Sequence, residues 1–299
     1  LCSNAASQAN AGPDIDFPYG GTSAQLSATT PACGRGTWSV WDGPLPTFSD
    51  IHDPHATITG QNNTFYRLKW TVSNGCDSTF DFVEIIFGFV CGHSTVSFVY
   101  HGILVTYGTI LKYQNLFNQK CFMDRNLGAS QSATSYHDVN SYGDYYQWGR
   151  NSDLHELTNS TVISGTTPSD NPGPYFFFPP AYPYDWHEPQ NNNLWQNEYN
   201  DPCPEGWRVA DWGAYNVVFG SGISNQVAFD VLKLPAAGYR AMDGSLSLQG
   251  VEGFYWMPEI PSGDPRAWQL TFNQTNYGYI NYNTNYRAVA TPVRCMKNE

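Results

Sequence analysis

Thr64-Phe65-Tyr66-Arg67-Leu68-Lys69-Trp70-Thr71-Val72 decides how the first part of this chain folds. Tyr66, Leu68, Trp70 and Val72 alternate with Arg67, Lys69 and Thr71, and successive side chains of a strand point to opposite faces of its sheet. One face is apolar and the other polar, which predicts a strand covering a core on one side only. The same texture recurs at residues 24–29, 36–41, 56–59 and 79–87. Turn clusters separate these stretches, among them Asp42-Gly43-Pro44 and Ser73-Asn74-Gly75, whose residue types suit tight chain reversals. Together they predict a small β-sandwich over residues 1–88. Cys33 lies just ahead of the Trp38 strand and Cys76 just behind the Trp70 strand, so a bond between them would clamp one end of it.

The whole chain has 299 residues, of which 14 are Lys or Arg and 26 are Asp or Glu, for a net charge of −12. Only 13% are charged and 16% are aromatic, against a charged share of about 25% in ordinary globular proteins. So many rings exclude a disordered chain, and the acidic balance argues against a nucleic-acid partner, whose phosphates are held by Lys and Arg. The apolar run near residues 82–91 is broken by Glu84 and is too short to span a bilayer, which takes about 20 residues. No basic, then apolar, leader precedes Leu1, so the chain reads as a mature or trimmed start. Seven cysteines, Cys2, Cys33, Cys76, Cys91, Cys121, Cys203 and Cys295, contain no CxxC pair and no zinc-like Cys/His spacing. Their wide separation suggests structural disulfides in an oxidising compartment. An odd count leaves one over, and Cys2, near the terminus, is the candidate unpaired thiol.

Ala9-Asn10-Ala11-Gly12-Pro13-Asp14, Gly36-Thr37-Trp38-Ser39-Val40 and Leu68-Lys69-Trp70-Thr71-Val72-Ser73-Asn74-Gly75-Cys76 resemble the PKD-like, immunoglobulin-like modules of bacterial surface adhesins. The resemblance covers about residues 8–87 and implies a spacer or stalk without catalysis.

From about residue 89 the texture changes. Two strand-like pieces flank His101-Gly102. Then follow Cys121-Phe122-Met123-Asp124-Arg125-Asn126-Leu127-Gly128, Tyr142-Gly143-Asp144-Tyr145-Tyr146-Gln147-Trp148-Gly149-Arg150, Asp201-Pro202-Cys203-Pro204-Glu205-Gly206-Trp207-Arg208-Val209, Leu234-Pro235-Ala236-Ala237-Gly238-Tyr239-Arg240 and Val293-Arg294-Cys295. In this order they resemble the FISUMP domain, an extracellular paralogous domain of bacteria related to C-type-lectin-like and formylglycine-generating-enzyme-like folds. The resemblance implies that residues 89–299 form an α+β, C-type-lectin-like domain with few short helices and much irregular loop. It also implies disulfides Cys203–Cys295 and Cys91–Cys121. Helix signals are confined to 211–219, with Asp211 placed as N-cap, and 226–232. The fold class expected for the chain is therefore β-rich and two-domain, an Ig-like sandwich followed by this α+β unit.

Catalytic signatures are missing: there is no GxSxG, HExxH or phosphate-binding glycine loop, and no visible carboxylate pair for glycoside hydrolysis. The chain is expected to be non-enzymatic and to need no cofactor or metal, calcium on loop Asp and Asn oxygens being the ion its composition would suit. Arg125, Arg150, Arg208, Arg240 and Arg294 stand in apolar surroundings, where a planar guanidinium satisfies several loop carbonyls or a carboxylate at once. Tyr182-Pro183-Tyr184-Asp185-Trp186 and Asn191-Asn192-Asn193-Leu194-Trp195 set flat rings beside amides. Tyr184, Trp186 and Trp195 are thus candidate contacts for the apolar faces and hydroxyls of sugars, although loop-packing core is the heavier reading of the same rings. Asn- and Tyr-rich residues 273–286, with Tyr277, Tyr279, Tyr282 and Tyr286, read either as a binding surface or as a surface hairpin with stacked rings. Asp77-Ser78-Thr79 resembles a bacterial O-glycosylation acceptor, with Ser78 as the attachment point. The expected location is the bacterial surface or exterior. The expected partners are copies of the chain, another surface protein or glycans, contacted either by an assembled subunit or by a lectin-like module on a stalk. The extended residues 1–18 would then lend a strand to a neighbour's sandwich edge.

Overall fold

The alternation around Trp70 does what its period requires: Tyr66, Leu68, Trp70 and Val72 are buried, whereas Arg67, Lys69 and Thr71 are only partly so. The computed structural model describes residues 5–113, 118–220, 222–274 and 281–298. It is β-rich with two short helices among the described residues, and it divides into units Leu1–Ser94 and Thr95–Glu299. The division falls at Ser94 rather than at 88.

In the first unit the strands are β1 (Ile15–Phe17), β2 (Ser23–Gln25), β3 (Arg35–Asp42), β4 (Thr47–Phe48), β5 (Thr57–Thr59), β6 (Thr64–Ser73) and β7 (Ser78–Phe87). They form a sheet of order β1-β7-β6-β3 and a second of order β2-β5-β4. Strands β6 and β7 pair antiparallel over their whole lengths, and β1 joins β7 in parallel. Both sheets turn their apolar sides into one core, with Ala24 and Ile58 from one meeting Trp38, Leu68, Trp70, Val83 and Ile85 from the other. The Trp38 and Trp70 rings lie 4.7 Å apart. Gly36 makes room for them, since a Cβ there would sit 1.9 Å from the Trp70 ring.

Two expectations are corrected here. The described part of the N-terminal segment, from residue 5 on, is not free to lend itself to a neighbour. Ala6, Ala9 and Ala11 are buried in this unit's own core, Ala9 N–H donates to Thr79 Oγ1 and Ala11 N–H to Asp81 Oδ2, both at 2.9 Å. Small alanines let this stretch lie flat on its own sandwich. Nor do Cys33 and Cys76 pair. Cys33 is a half-buried free thiol, while Cys76 is disulfide-bonded. The turn at Cys33 is held instead by Ser7, whose Oγ accepts the Cys33 N–H at 2.7 Å and whose N–H reaches the Cys33 carbonyl at 3.0 Å. The thiol left over among the described residues is thus Cys33; Cys2 lies outside those residues.

The second unit begins with the hairpin β8 (Val96–Tyr100) and β9 (Ile103–Tyr107), then β10 (Thr109–Tyr113) and β11 (Gln119–Met123). Short strands follow: β12 (Tyr146–Gln147), β13 (Val162–Ser164), β14 (Phe176–Phe178) and β15 (Trp207–Val209). Helices α1 (Trp212–Phe219) and α2 (Asn225–Leu232) come next. The chain ends through β16 (Tyr239–Arg240), β17 (Leu246–Ser247), β18 (Gly253–Trp256), β19 (Ala267–Phe272), β20 (Asn281–Asn285), β21 (Ala290–Thr291) and β22 (Cys295–Lys297). Three larger sheets, in orders β10-β11-β22-β15, β12-β21-β16-β17 and β18-β19-β20, stand beside the β8-β9 hairpin and a parallel β13-β14 pair. Asp211 caps α1 by accepting the Ala214 N–H at 2.7 Å, and Ser224 caps α2 through the Val227 N–H. Both helices pack on Phe122, Tyr255, Leu270 and Met296. The Cys203–Cys295 disulfide joins the approach to β15 to the start of β22; Cys91 and Cys121 are also disulfide-bonded.

Between α-helix and strand, the irregular 124–200 region is held by side chains reaching backbone carbonyls. Four buried indole N–H groups each find one: Trp148 on Met257, Trp186 on Trp148, Trp195 on Arg150 and Trp256 on Tyr146, at 2.7–3.1 Å. Arg240 serves the carbonyls of His155, Leu157, Ser160 and Gly244. A loop whose polar backbone is buried must be satisfied in this way, because each unmade bond costs about 1–3 kcal/mol.

Candidate functional site

Pro179-Pro180-Ala181-Tyr182-Pro183-Tyr184 crosses the surface of the second unit as a proline-stiffened ridge. Tyr182 stands at its crest, 66% exposed. A cleft of about 450 Å³ lies on one side, lined by Thr166, Pro180, Asp185, Glu188 and Gln190. Another of about 570 Å³ lies on the other, lined by Gln190, Asn192, Pro261, Ser262 and Asp264. Tyr182, Pro183 and Gln190 belong to both, so one ring and one amide face two concavities.

The ridge rests on packed rings. Tyr182 meets Tyr184 edge-on at 6.4 Å, and Tyr184 meets Tyr286 edge-on at 5.0 Å. Below them Trp186 is fully buried, with the Arg150 guanidinium 5.2 Å over its ring. Asp185 ties the floor to the rim: its carboxylate accepts from His187 N–H at 3.0 Å and Gln190 Nε2 at 2.9 Å, and it faces Arg287 Nη1 at 3.4 Å. Arg287 also donates to Asn192 Oδ1 at 2.8 Å and lies 4.5 Å over the Trp148 ring. Burial pushes the Asp185 carboxyl above its ordinary value, although the Arg287 charge pulls the other way. The two amides of the clefts, Gln190 and Asn192, are thereby fixed by one buried ion pair before any ligand arrives, which limits the ordering cost of binding.

The candidate rings named from sequence divide accordingly. Tyr184 and Tyr286 are half-buried supports of the ridge. Trp186 and Trp195 are 0% and 2% exposed, a correction to their reading as contact rings: an indole with its single N–H satisfied by a loop carbonyl is core. Tyr282 lies in β20, its backbone opposite Leu270, and Tyr277 and Tyr279 fall outside the described residues. Tyr182 is the ring that sequence reading missed. Its neighbours on both sides are apolar or prolyl, so only the fold reveals which face of the segment is outward. Ser78 is exposed at the first position of β7.

A second polar cluster is buried. His155 Nε2 accepts the Gln147 N–H at 3.0 Å, which places the ring proton on Nδ1, 2.5 Å from Asp153 Oδ1 and 3.1 Å from Glu156 Oε2. Arg150 Nη2 pairs with Asp153 at 2.8 Å, and His101 Nε2 meets Glu156 Oε1 at 2.6 Å. Burial would raise Asp153 and Glu156, but the His155 hydrogen bonds, with Arg150 or His101, hold both below the usual carboxylate range. Ligand atoms of Asp153, His155 and Glu156 lie within 4.8 Å of one another, yet the pairs just described already engage them. The group is an internal network of hydrogen bonds around the Arg150–Asp153 ion pair. Alongside it Tyr100 donates to Asp144 Oδ2 at 2.7 Å and contacts the Tyr146 hydroxyl. Burial lifts the Asp144 carboxyl to about 6 despite the bond from Tyr100.

A third cleft, about 310 Å³, is lined by Trp195, Glu198, Asp201, Arg208, Asp211 and Glu259. Asp201 accepts backbone N–H groups of Cys203 and Val209, and Arg208 pairs with Asp211 at 2.6 Å. Burial pushes Asp201 up to about 7 against those two hydrogen bonds. Its groups serve the chain itself.

No family model matches this chain, and none of the curated proteins matches it. Among solved structures, the solution structure of the PKD domain from KIAA 1837 protein is similar to it at 22% identity, covering 32% of this chain and 100% of that domain with a TM-score of 0.25.

Proposed function

We propose that this chain is a non-enzymatic protein of a bacterial surface or exterior, its sandwich carrying a C-type-lectin-like, FISUMP-type second unit that contacts glycans through the Tyr182 ridge. The observation that carries the reading is an exposed ring set between two amide-bearing clefts on a floor locked by Asp185 and Arg287. Sugars offer apolar C–H faces and rigid hydroxyls, which a fixed ring flanked by Gln190 and Asn192 complements. Support for a non-catalytic role comes from Asp153, His155 and Glu156, which are engaged with one another and with Arg150. Support for an oxidising location comes from the Cys203–Cys295 disulfide. No helix among the described residues is long and apolar enough to cross a membrane.

The test is retention of the full chain on immobilised glycans, comparing wild type with Tyr182→Ala. A central aromatic contact contributes at least about tenfold to affinity, so the variant should lose at least that much while keeping its thermal midpoint. Equal retention of variant and wild type, or no retention by any glycan, sinks the reading. Retention only by another surface protein, lost in the same variant, moves the ridge to a protein partner.

A further inference from the structure

The first unit carries an outer sheet face unlike its other surfaces. Period-2 alternation that sends Trp38, Leu68, Trp70 and Val83 inward sends Arg35, Arg67, Lys69, Phe80 and Phe82 outward on β3, β6 and β7. Trp41 joins them where β3 shifts register between Val40 and Asp42. Trp41 is 61% and Phe80 55% exposed. The rings form a run, Trp41 edge-on to Phe82 at 5.3 Å and Phe82 edge-on to Phe80 at 5.5 Å. Two cations lie on it: Lys69 Nζ is 5.3 Å from the Trp41 ring and 4.1 Å from that of Phe80, and the Arg67 guanidinium is 4.8 Å over Phe82.

Charge is distributed with equal asymmetry. Residues 1–94 contain three cations, Arg35, Arg67 and Lys69, and all three are on this face; the same residues contain eight Asp and Glu. Among the described residues neither Arg35 nor Lys69 has a carboxylate within ion-pair distance, and Arg67 has only Glu84, at 3.6 Å with both side chains well exposed. Such an exposed pair holds its charge weakly. The face is therefore cationic and aromatic on a chain of net charge −12.

We infer that this face docks a second copy of the chain, seated by that copy's acidic surface. Charge complementarity selects the occupant. The surface that matches a cationic patch is present on every copy, in the acids that outnumber cations elsewhere. Exposed Trp and Arg are residue types that dominate binding energy at protein interfaces, and lysine over a ring keeps its charge available to an approaching carboxylate. The contact is heterologous, because two such faces brought together would crowd the Arg35, Arg67 and Lys69 charges of both copies into one interface. Heterologous contacts that do not close into a ring grow into open assemblies. The inference is independent of the Tyr182 ridge, which belongs to the other unit.

The experiment is sedimentation of the full chain over a concentration series, at low salt and at about 1 M salt, where the screening length falls to about 3 Å. Wild type should associate with rising concentration at low salt and dissociate at high salt. Lys69→Glu and Trp41→Ala should each weaken association at least about tenfold, and Lys69→Arg should retain it; unchanged melting curves separate these effects from misfolding. A wild type that stays monomeric throughout overturns the inference, as does association undiminished in both variants. Capture of an anionic polysaccharide by a chain that remains monomeric overturns it too and gives the face to a glycan.

Discussion

Arg294 has no accessible surface, and its hydrogen bonds among the described residues go to carbonyls and an amide oxygen. Its guanidinium donates to the carbonyls of Met123 at 2.9 Å, Leu232 at 2.7 Å and Lys233 at 3.1 Å, and to Asn126 Oδ1 at 2.9 Å. Burial pulls its pKa below the usual value, and the ring of acceptors offsets that cost by supplying partial negative charge from four directions. A lysine ammonium is a point donor and cannot span the same fan. Arg294→Lys should lower the free energy of unfolding by at least about 2 kcal/mol, since it leaves at least one buried carbonyl unpaired. Urea titration followed by tryptophan fluorescence measures it, and a loss under about 0.5 kcal/mol would show that the fan is not what holds these loops. This role was legible in the sequence, because an arginine in an apolar stretch of a charge-poor chain has few alternatives. Its particular acceptors were not, because Met123, Leu232 and Lys233 lie far from it along the chain.

Elements of the second unit are short, so their stability comes from where they are anchored. The β8–β9 hairpin exposes Val99, Ile103 and Leu104 and is fastened at its turn, where Tyr100 bonds Asp144 at 2.7 Å and His101 meets Glu156 at 2.6 Å. Tyr100→Phe should leave the half-buried Asp144 carboxyl without this donor, at a cost of about 1 kcal/mol. Amide exchange across residues 96–107 should quicken more than exchange in β19, and uniform acceleration or none would contradict the fastening. The hairpin itself was readable from two strand-like runs around His101-Gly102, as α1 was from Asp211 at its N-cap. What fastens it was not, since Asp144 and Glu156 sit in loops without periodicity. For Trp186 and Trp195 the contact reading gave way to the core reading for a related reason: composition shows that a loop is aromatic, whereas the direction of each ring depends on which carbonyl its N–H reaches. In the sandwich the opposite holds, and alternation alone assigned the buried face of β6. Cys33 shows the limit there, because a position near a strand end does not reveal that Ser7 folds back over it.

At the scale of the molecule, the acids set how stability responds to pH. Asp144 and Asp201 are lifted to about 6 and about 7, in each case chiefly by burial, above an unfolded value of about 4. Between about pH 4 and pH 7 the native state therefore binds more protons than the unfolded chain. Their contribution is fully present below about pH 4 and is lost as pH rises through about 6 and then about 7. Asp153 and Glu156 act in the other direction. Burial would raise them, but hydrogen bonds and opposite charges hold them low, so their contribution is present above about pH 4 and lost as pH falls through their native values. The second unit should accordingly be most stable near pH 5. Moving from pH 5 to pH 8 removes roughly 3 kcal/mol through Asp201 alone, since of its rise from about 4 to about 7 only the part above pH 5 is still to be lost. That corresponds to roughly 8 °C in the melting midpoint of a domain of this size. The 92-residue separation bridged by Cys203–Cys295 restricts the unfolded chain by on the order of 4–5 kcal/mol, and this contribution does not depend on pH while the bond stays oxidised. Calorimetry from pH 4 to pH 8 under non-reducing conditions tests the assignment. A midpoint that rises steadily toward pH 8 would mean that Asp144 and Asp201 ionise freely in the folded protein, and that burial does not govern these loops.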